Sequence, residues 1–338
     1  MVAQKLVERI WYGNSRLALL LLPFAWLFAA VAGLRRLTYR WGWRAAPELP
    51  VPVVIVGNIT AGGSGKTPVV IWLCQALVRA GYRPAIVSRG YGGTVRGEPH
   101  RVTAEDSPER VGDEPLLMHH ATRLPVCVCS DRVRAVRLAA ECGANVVVAD
   151  DGLQHYALRR QVELIVVDGE RLFGNGYRLP AGPLRESVSR LAEADAVLIN
   201  GGDAALAGIR FELQPLAARR LASSDISRPL QEFAGTRVWA VAGIGNPGRF
   251  FLTLKAFGIV IDPVPLTDHA QTDLAELQRR RAQPVLMTEK DAVKYPDAEG
   301  DLWFVPVTVR FASSESDKLL SRIQDRLGPP GKLSGNTE

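Results

Sequence analysis

One segment restricts the possible folds of this chain more than any other: an apolar strand that runs through a glycine-rich turn into a helix. Its sequence is VVIVGNITAGGSGKTP, from Val53 to Pro68. In such a turn, glycines let backbone N–H groups surround an anion, and the following helix N-terminus adds its dipole. A lysine there neutralises nucleotide phosphates, and the next threonine ligates Mg²⁺. The segment therefore predicts a nucleotide-binding P-loop in an α/β fold.

The predicted nucleotide-binding residues form one continuous run. They are Thr60, Ala61, Gly62, Gly63, Ser64, Gly65, Lys66 and Thr67. The strict pattern G-x-x-x-x-G-K-[ST] has glycine at its first position, where this chain has Thr60. Gly62 and Gly63 can supply the flexibility instead. The alternative, a glycine-rich turn with a chance Lys-Thr pair, is disfavoured by the strand–loop–helix context.

A strand–helix rhythm along the rest of the chain predicts mostly parallel sheets. Apolar runs such as Asn145–Ala149 and Leu164–Val167 are typical of strands buried on both faces. The pattern changes near Ile209–Pro215. We therefore expect an α/β fold: a P-loop NTPase-like, mostly parallel sheet with helices on both faces, a smaller second α/β domain and an N-terminal membrane helix. The predicted bounds are 45–210 for the nucleotide-binding domain, 211–328 for the second domain and 329–338 for a flexible tail.

The membrane helix is predicted from an uncharged apolar segment over residues 17–34. Eighteen residues is about the shortest helix that crosses the hydrocarbon core of a bilayer. Pro23 lies inside the segment, aromatic residues flank it as at membrane interfaces, and Arg35, Arg36, Arg40 and Arg44 follow it. We predict a membrane anchor with its flanks over residues 1–44. A cleaved signal peptide, a buried soluble helix and a shallow monotopic helix are the alternatives.

Composition excludes several classes of protein. The hydrophobic share of 47% and the charged share of 22% exclude a disordered chain. Four cysteines without a C-x-x-C pair argue against a disulfide scaffold or a structural zinc site. The net charge of +6 suits a phosphate, an anionic lipid or a nucleic acid. Because no nucleic-acid motif accompanies the dispersed basic residues, we expect no nucleic-acid partner.

Acidic residues follow a second apolar strand, as a magnesium nucleotide site requires. Asp150 and Asp151 end the strand that begins near Asn145, and Gln154 and His155 come just after them. Two adjacent carboxylates repel each other unless a cation lies beside them. An ordinary acidic turn is the alternative.

Four further residues are weaker candidates by themselves. Asp113 lies in a predicted loop, and His269 follows Asp268. If the fold brings Asp113 and His269 together, the carboxylate would orient the imidazole and raise its basicity, as a general base requires. Arg185-Glu186 closes an irregular Gly/Pro-rich segment, and an acid in the first turn of a helix is the alternative interpretation of Glu186.

The second half of the chain repeats the strand–helix rhythm, and its last strand is predicted over Trp303–Val307. A complete G-x-G-x-x-G motif stands there at Gly243–Gly248, with Asp262 near the position of a ribose-binding acid. A dinucleotide-dependent oxidoreductase is therefore an alternative. We favour a tight strand-to-helix turn, because the P-loop already accounts for phosphate binding.

Taken together, these motifs resemble the tetraacyldisaccharide 4′-kinase family, also called lipid A 4′-kinase. The resemblance covers most of residues 50–295. It rests on VGNITAGGSGKTP (56–68), SRGYGG (88–93), VGDEP (111–115), SDRVRA (130–135), DDGLQHY (150–156), FGNGYRLPAGPLRE (173–186), AGIGNPGRFF (242–251), DH (268–269) and MTEKDAVK (287–294). The family's P-loop also lacks the first strict glycine.

The resemblance implies transfer of the γ-phosphate of ATP to the 4′-hydroxyl of a tetraacyldisaccharide 1-phosphate, giving lipid IVA. It also implies a place at the inner membrane, with the catalytic domains on the cytoplasmic face, and no obligate protein partner. The alternative is a membrane-attached P-loop NTPase that acts on a protein partner.

Site roles follow from the same resemblance. Lys66 would hold the β- and γ-phosphates, and Arg185 would help to hold phosphate. Asp113 and His269 would activate the sugar hydroxyl. The catalytic set also includes Asp150 and Asp151, and the Mg²⁺ ligands would be Thr67, Asp150, Gln154 and Glu186.

Overall fold

Two β-sheets organise the chain, which a computed structural model describes over residues 2–13, 15–203, 205–267, 270–312 and 314–331. The described strands, in chain order, are β1 (Val53–Gly57), β2 (Pro84–Ser88), β3 (His100–Arg101), β4 (Val126–Val128), β5 (Val146–Asp150), β6 (Val162–Asp168), β7 (Ala196–Asn200), β8 (Ile209–Pro215), β9 (Ala218–Arg220), β10 (Ser223–Arg228), β11 (Arg237–Ala242), β12 (Val260–Pro265), β13 (Val285–Thr288), β14 (Leu302–Val305) and β15 (Val307–Phe311).

Helices precede, connect and follow these strands. They are α1 (Val2–Tyr12), α2 (Leu17–Leu20), α3 (Leu22–Arg40), α4 (Lys66–Arg79), α5 (Pro108–Val111), α6 (Asp113–Thr122), α7 (Arg132–Glu141), α8 (Pro247–Ala256), α9 (Leu274–Arg280), α10 (Glu289–Ala292) and α11 (Glu315–Leu327). Short 3₁₀ helices occupy Val188–Glu193 and Leu230–Phe233.

The first sheet has nine strands in the order β15-β8-β7-β6-β1-β5-β2-β4-β3. Strand β1 lies near its centre and pairs in parallel with β5 and β6. Val54 and Val56 face a core with α4 and α11, whereas Val53 and Ile55 face a core with α7. The strand is buried on both faces, as its continuous apolar run predicts. The predicted α/β fold with a large, mostly parallel sheet is confirmed.

The second sheet has six strands in the order β10-β9-β14-β13-β11-β12, with a parallel centre from β14 to β12. The two sheets divide the chain differently from the predicted boundary at residue 210. Strand β8 belongs to the first sheet, and β15 returns to pair with it in antiparallel fashion. Helix α11 follows and buries Leu319 and Ile323 in the first core. The first sheet and its core are therefore built from segments that precede the second sheet in the sequence and from β15 and α11, which follow it.

The prediction of a single strand over Trp303–Val307 is wrong, because this segment contains parts of two strands that belong to different sheets. Strand β14 ends at Val305 and β15 begins at Val307. Pro306 separates them, since proline has no N–H to donate to a sheet and fixes its own backbone angle. The chain passes from one sheet to the other at this residue.

The uninterrupted helix predicted over residues 17–34 is also corrected. It is divided at Leu21 into α2 and α3, with Pro23 in the first turn of α3. A proline ring clashes with the carbonyl four residues earlier, so it breaks a helix in its interior but is tolerated at its start. Within the described part of the chain, no helix has both the length and the apolarity needed to cross a membrane.

Candidate active site

The glycine-rich turn connects β1 to α4 at the carboxyl edge of the first sheet, where parallel strands place ligand sites. Gly65 caps α4 with a φ of 93°, in the left-handed region that favours glycine. Asn200, at the end of β7, donates from Nδ2 to the Ser64 carbonyl at 3.1 Å. Lys66 and Thr67 then form the first turn of the helix, as the P-loop prediction requires.

The irregular Gly/Pro-rich segment holds the first half of this turn in place. Ala61 N donates to the Pro183 carbonyl at 2.7 Å, and Arg185 N donates to the Ile59 carbonyl at 2.7 Å. Thr60, where the strict pattern has glycine, forms an isolated bridge with Leu184. The Gly/Pro-rich segment thus packs along the start of the P-loop and pairs with its backbone. Its irregular sequence is consistent with this non-helical, non-strand backbone.

The two predicted acids lie beside Lys66. Asp151 Oδ1 lies 3.6 Å from Lys66 Nζ, and Asp151 Oδ2 accepts a hydrogen bond of 2.9 Å from Arg185 Nη1. Burial would raise the pKa of Asp151, but Lys66 and Arg185 outweigh it and lower this pKa to about 2. Asp151 is therefore an ionised partner of both cations.

Asp150 is in a different environment, because it is buried at the end of β5. Its burial, and then the negative charge of nearby Glu114, raise the pKa of its carboxyl well above the usual range. Its Oδ1 atom is buried and has no hydrogen-bond partner among the described residues. A buried carboxylate oxygen without a partner is costly unless a cation or proton reaches it. This oxygen fits a cation ligand.

The residues present fit Mg²⁺ in the manner usual for nucleotide enzymes. Among the described residues, no group of three or more His, Cys, Asp or Glu side chains could hold a metal ion. Mg²⁺ generally binds one or two carboxylates, several waters and substrate phosphates rather than a cage of protein ligands. Asp150 and the hydroxyl of Thr67 are donors of this kind.

Gln154 and Glu186, the other two predicted metal ligands, contact each other. Gln154 Nε2 donates to Glu186 Oε1 at 3.1 Å and to the Asn58 carbonyl at 3.2 Å. Glu186 also lies 3.4 Å from the Nε atom of buried Arg190. In the described part of the chain, no hydrogen bond joins either residue to the two aspartates, so their role as metal ligands stays a prediction.

Asp113 was predicted in a loop, but it is the buried first residue of α6. Acids favour the first turn of a helix, and here Asp113 and Glu114 both occupy it. Because the charge of Glu114 acts on Asp150, this helix start lies near the acidic pair. Asp113 Oδ2 lies 3.6 Å from Lys294 Nζ. His269, its predicted partner, lies outside the described residues.

Sequence reasoning assigned no role to three basic residues that structure this region. Arg132 donates from Nη2 to the Asp151 carbonyl at 3.1 Å, and Arg171 donates from Nη1 to the Gly245 carbonyl at 2.8 Å. Lys294 contacts Asp113. Arg132 and Lys294 belong to motifs SDRVRA and MTEKDAVK, so the signal was present, but their partners are distant in the chain.

The second glycine motif lacks the features of a dinucleotide site. Gly243 N donates to Asp291 Oδ2 at 2.7 Å, so a carboxylate already occupies this backbone donor. Asp262 is paired with Arg237 and Arg281 instead of lying open to a ribose. Gly245 packs against the P-loop itself, where a Cβ atom on it would lie 2.4 Å from Gly63 N. The interpretation as a tight turn fits these contacts.

Comparison with known proteins agrees with this geometry. A family model described as "LpxK: Tetraacyldisaccharide-1-P 4'-kinase" matches residues 17–327. A tetraacyldisaccharide 4'-kinase from Methylobacillus flagellatus is 46% identical over 322 residues, covering 94% of this chain and 95% of the relative. One from Hamiltonella defensa is 44% identical over 324 residues, covering 94% and 98%.

A solved structure extends the comparison to three dimensions. The crystal structure of LpxK from Aquifex aeolicus in complex with ATP superposes with a TM-score of 0.77 at 29% sequence identity. The match covers 92% of this chain and 100% of that chain.

Proposed function

The chain belongs to the tetraacyldisaccharide-1-phosphate 4′-kinase family, and from that premise we propose how its residues carry out the reaction. The protein is an ATP-dependent lipid A 4′-kinase. Its reaction transfers the γ-phosphate of ATP to the 4′-hydroxyl of tetraacyldisaccharide 1-phosphate, giving lipid IVA and ADP. The observation that carries the assignment of roles is the meeting of Lys66, Asp150 and Asp151 at one sheet edge.

At the nucleotide end, the backbone of residues 60–67 surrounds the ATP phosphates, and Lys66 neutralises the β- and γ-phosphates. Thr67 and Asp150 would hold Mg²⁺, with Gln154 and Glu186 arranging the surrounding shell. When bound, the metal supplies positive charge to the transferred phosphoryl group. Asp151 keeps Lys66 and Arg185 close to the position of the phosphates, and Arg185 is placed to contact them.

At the acceptor end, Asp113 accepts the proton of the 4′-hydroxyl while the 4′-oxygen of the sugar attacks the γ-phosphorus. The bond from the γ-phosphorus to the bridging oxygen of ADP breaks as the new P–O bond forms. A base within hydrogen-bond reach of an alcohol contributes about 10²–10⁴ in rate. The burial of Asp113 at the start of α6, near the acidic pair, supports this role, and the family resemblance assigns His269 as its partner.

The lipid substrate places the enzyme at a membrane surface. Four acyl chains leave a bilayer only at a cost of roughly 0.8 kcal/mol per methylene. Helix α3 supports this arrangement, because Phe24, Leu27, Val31 and Leu34 repeat at helical spacing and are all exposed. With the arginines that follow, this face suits the interface of an anionic membrane. We place the catalytic domains on the cytoplasmic face of the inner membrane.

Phosphate transfer tests the residue roles directly. Purified protein in detergent micelles receives γ-labelled ATP, Mg²⁺ and tetraacyldisaccharide 1-phosphate. Lys66→Ala and Asp113→Ala are compared with Lys255→Ala and Asp297→Ala, which remove the same side chains at exposed positions. We expect labelled lipid in the controls and a loss of about 10²–10³-fold or more in the two site variants.

Each other outcome of this experiment identifies a different error. Full activity of Asp113→Ala would remove the proposed base and keep the kinase. ATP consumption without labelled lipid would favour the NTPase that acts on a protein partner.

Membrane binding is tested separately by sedimentation with vesicles of phosphatidylcholine alone or mixed with an anionic lipid. We expect the triple variant Arg35→Gln, Arg36→Gln, Arg40→Gln to lose binding to the anionic vesicles. Serine at Phe24, Leu27 and Val31 should weaken binding to both kinds. Unchanged binding in both variants would contradict the proposed interface.

A further inference from the structure

Lys294 is a buried cation just after α10 and close to Asp113 at the start of α6, and the proposed reaction gives it no role so far. Its side chain is only 1% exposed. Its Nζ atom lies 2.8 Å from Asp291 Oδ1, 3.6 Å from Asp113 Oδ2 and 3.1 Å from the Ala270 carbonyl. One ammonium group therefore contacts three oxygens from three separate parts of the chain.

Two of these three contacts involve the proposed base or the residue next to its predicted partner. Asp113 is the base itself, and Ala270 directly follows His269 in the sequence. Ala270 N also donates to the Thr267 carbonyl at 3.0 Å, and these two residues are the described neighbours of Asp268 and His269 in the sequence. Lys294 Nζ thus contacts both the carboxylate of Asp113 and the backbone of the residue that directly follows His269.

The third contact fixes Lys294 in turn. Asp291 is fully buried and accepts hydrogen bonds from Gly243 N at 2.7 Å and from Thr288 Oγ1 at 2.5 Å. Gly243 leaves the necessary space, because a Cβ atom on it would lie 2.6 Å from Asp291 Oδ1 and 3.3 Å from Lys294 Nζ. Asp291, held by the Gly243 backbone and by Thr288, therefore fixes the position of the Lys294 ammonium group.

Fold stability is a weak explanation for this arrangement. Desolvating buried charges costs about as much as their attraction returns, so apolar residues often serve a core equally well. A buried ammonium group that contacts both a proposed base and the residue directly after its predicted partner is better explained by positioning. A misplacement of about 1 Å in a reacting group can cost about 10²-fold in rate.

We propose that Lys294 is a positioning residue for phosphoryl transfer, which holds Asp113 and the backbone at Ala270, directly after His269 in the sequence, in the arrangement that the reaction needs. The proposal rests on the role of Asp113 given above. It extends the site from the first sheet to the second, because Lys294 and Asp291 both belong to the region around α10. It also explains why glycine suits position 243, because a side chain there would lie against the Asp291 carboxylate and the Lys294 ammonium group.

The test replaces Lys294 by methionine, which keeps the length of the side chain and removes the charge. We expect kcat to fall by about 10- to 100-fold while the KM for ATP stays unchanged, because the P-loop is untouched. Lys294→Arg restores the charge and should recover part of kcat. The matched control is Lys290→Met, which lies four residues earlier on α10, breaks a more exposed pair with Glu114 and should change kcat less than about 5-fold.

Because removing a buried charge can also unfold a protein locally, a second variant keeps every charge. Gly243→Ala pushes the Asp291 carboxylate, the end of a side chain, away from its present position. We expect a folded protein with lowered kcat and an unchanged KM for ATP. Wild-type kcat in both Gly243→Ala and Lys294→Met would overturn the proposal.

A double-mutant cycle separates this proposal from the role of Asp113. In the Asp113→Asn background, Lys294→Met should cause little further loss of kcat, because the group that it positions is gone. A full additive loss would indicate a structural role and overturn the proposal. If Asp113→Asn alone retains wild-type kcat, the proposed base fails instead, and the two failures are distinguished.

Discussion

The molecule contains two glycine-rich turns that look alike in sequence and differ in what surrounds them. Each follows a buried strand and begins a helix: residues 57–67 in the first sheet and residues 243–248 in the second. In the first turn, Lys66 begins the helix and Asp151 stands beside it. In the second, the carboxylate of Asp291 accepts from the turn's own backbone N–H. The first is open to an anion, and the second is already closed by one.

This difference teaches that the glycine spacing determines the path of the backbone and not the ligand. A phosphate site needs free N–H donors and a cation near the helix start. The second turn uses its lack of side chains for close packing, since Gly245 contacts the backbone of Gly63. We therefore propose that the first glycine motif binds the ATP phosphates, and that the second supports the first turn and the position of Lys294.

The largest expected difference between the turns is in nucleotide binding. ATP with Mg²⁺ at about 100 times its Kd should stabilise the protein by about 2.7 kcal/mol. NAD or NADP at the same concentration should give no stabilisation, because the second turn is occupied by Asp291. Thermal unfolding with each ligand measures this difference. Protection by a dinucleotide that persists in Lys66→Ala would show that the second turn binds phosphate after all.

A pair of alanine substitutions compares the two turns in stability. Gly65→Ala introduces a side chain at a φ of 93°, with its Cβ atom 2.6 Å from Asn200 Nδ2. We expect a destabilisation of about 1–3 kcal/mol, because backbone strain adds to a disturbed hydrogen bond to Ser64.

Gly248→Ala is the matched control in the second turn. Its Cβ atom would meet its first neighbour, Asn246 Oδ1, at 3.4 Å. Since alanine favours a helix over glycine, we expect no loss or a gain of about 0.5–1 kcal/mol. Chemical denaturation of both variants measures the pair, and equal losses would mean that the two turns are under the same constraint.

The sequence predicts well those parts of the site that are local in the chain. Strand β1, the P-loop and α4 are consecutive, so periodicity and glycine spacing are enough to place Lys66 and Thr67. Asp150 was also found, because it ends an apolar strand in a parallel fold. Its neighbouring position was predictable, since parallel strands that adjoin β1 end at the same edge of the sheet.

Long-range pairing could not be read from local patterns. The return of β15 to the first sheet depends on a partner strand far away in the chain, and only Pro306 marked the change. The contact of Lys294 with Asp113 likewise joins the turn after α10 to the start of α6. The apolar run over residues 17–34 shows a third limit, because its hydropathy favours one long helix while Pro23 restarts it. Hydropathy averaged over a segment does not show where a single proline makes a new helix begin.

The smallest expected effect concerns the contact between the two turns. In Gly245→Ala, the new Cβ atom would lie 2.4 Å from Gly63 N, a backbone atom that cannot turn away as a side chain does. The Gly245 carbonyl is also held by Arg171. Part of the P-loop must therefore shift, and we expect the KM for ATP to rise about 5-fold, which corresponds to roughly 1 kcal/mol.

The same variant distinguishes support from catalysis. Because the three atoms nearest to a Cβ on Gly245 belong to Gly62 and Gly63, kcat should change little in Gly245→Ala. Gly243→Ala, two residues earlier, is expected to do the reverse: kcat falls and the KM for ATP stays. If both variants changed the same constant, the turn would act as one unit. If they separate, one tight turn in the second sheet supports nucleotide binding through Gly245 and the proposed base through Gly243.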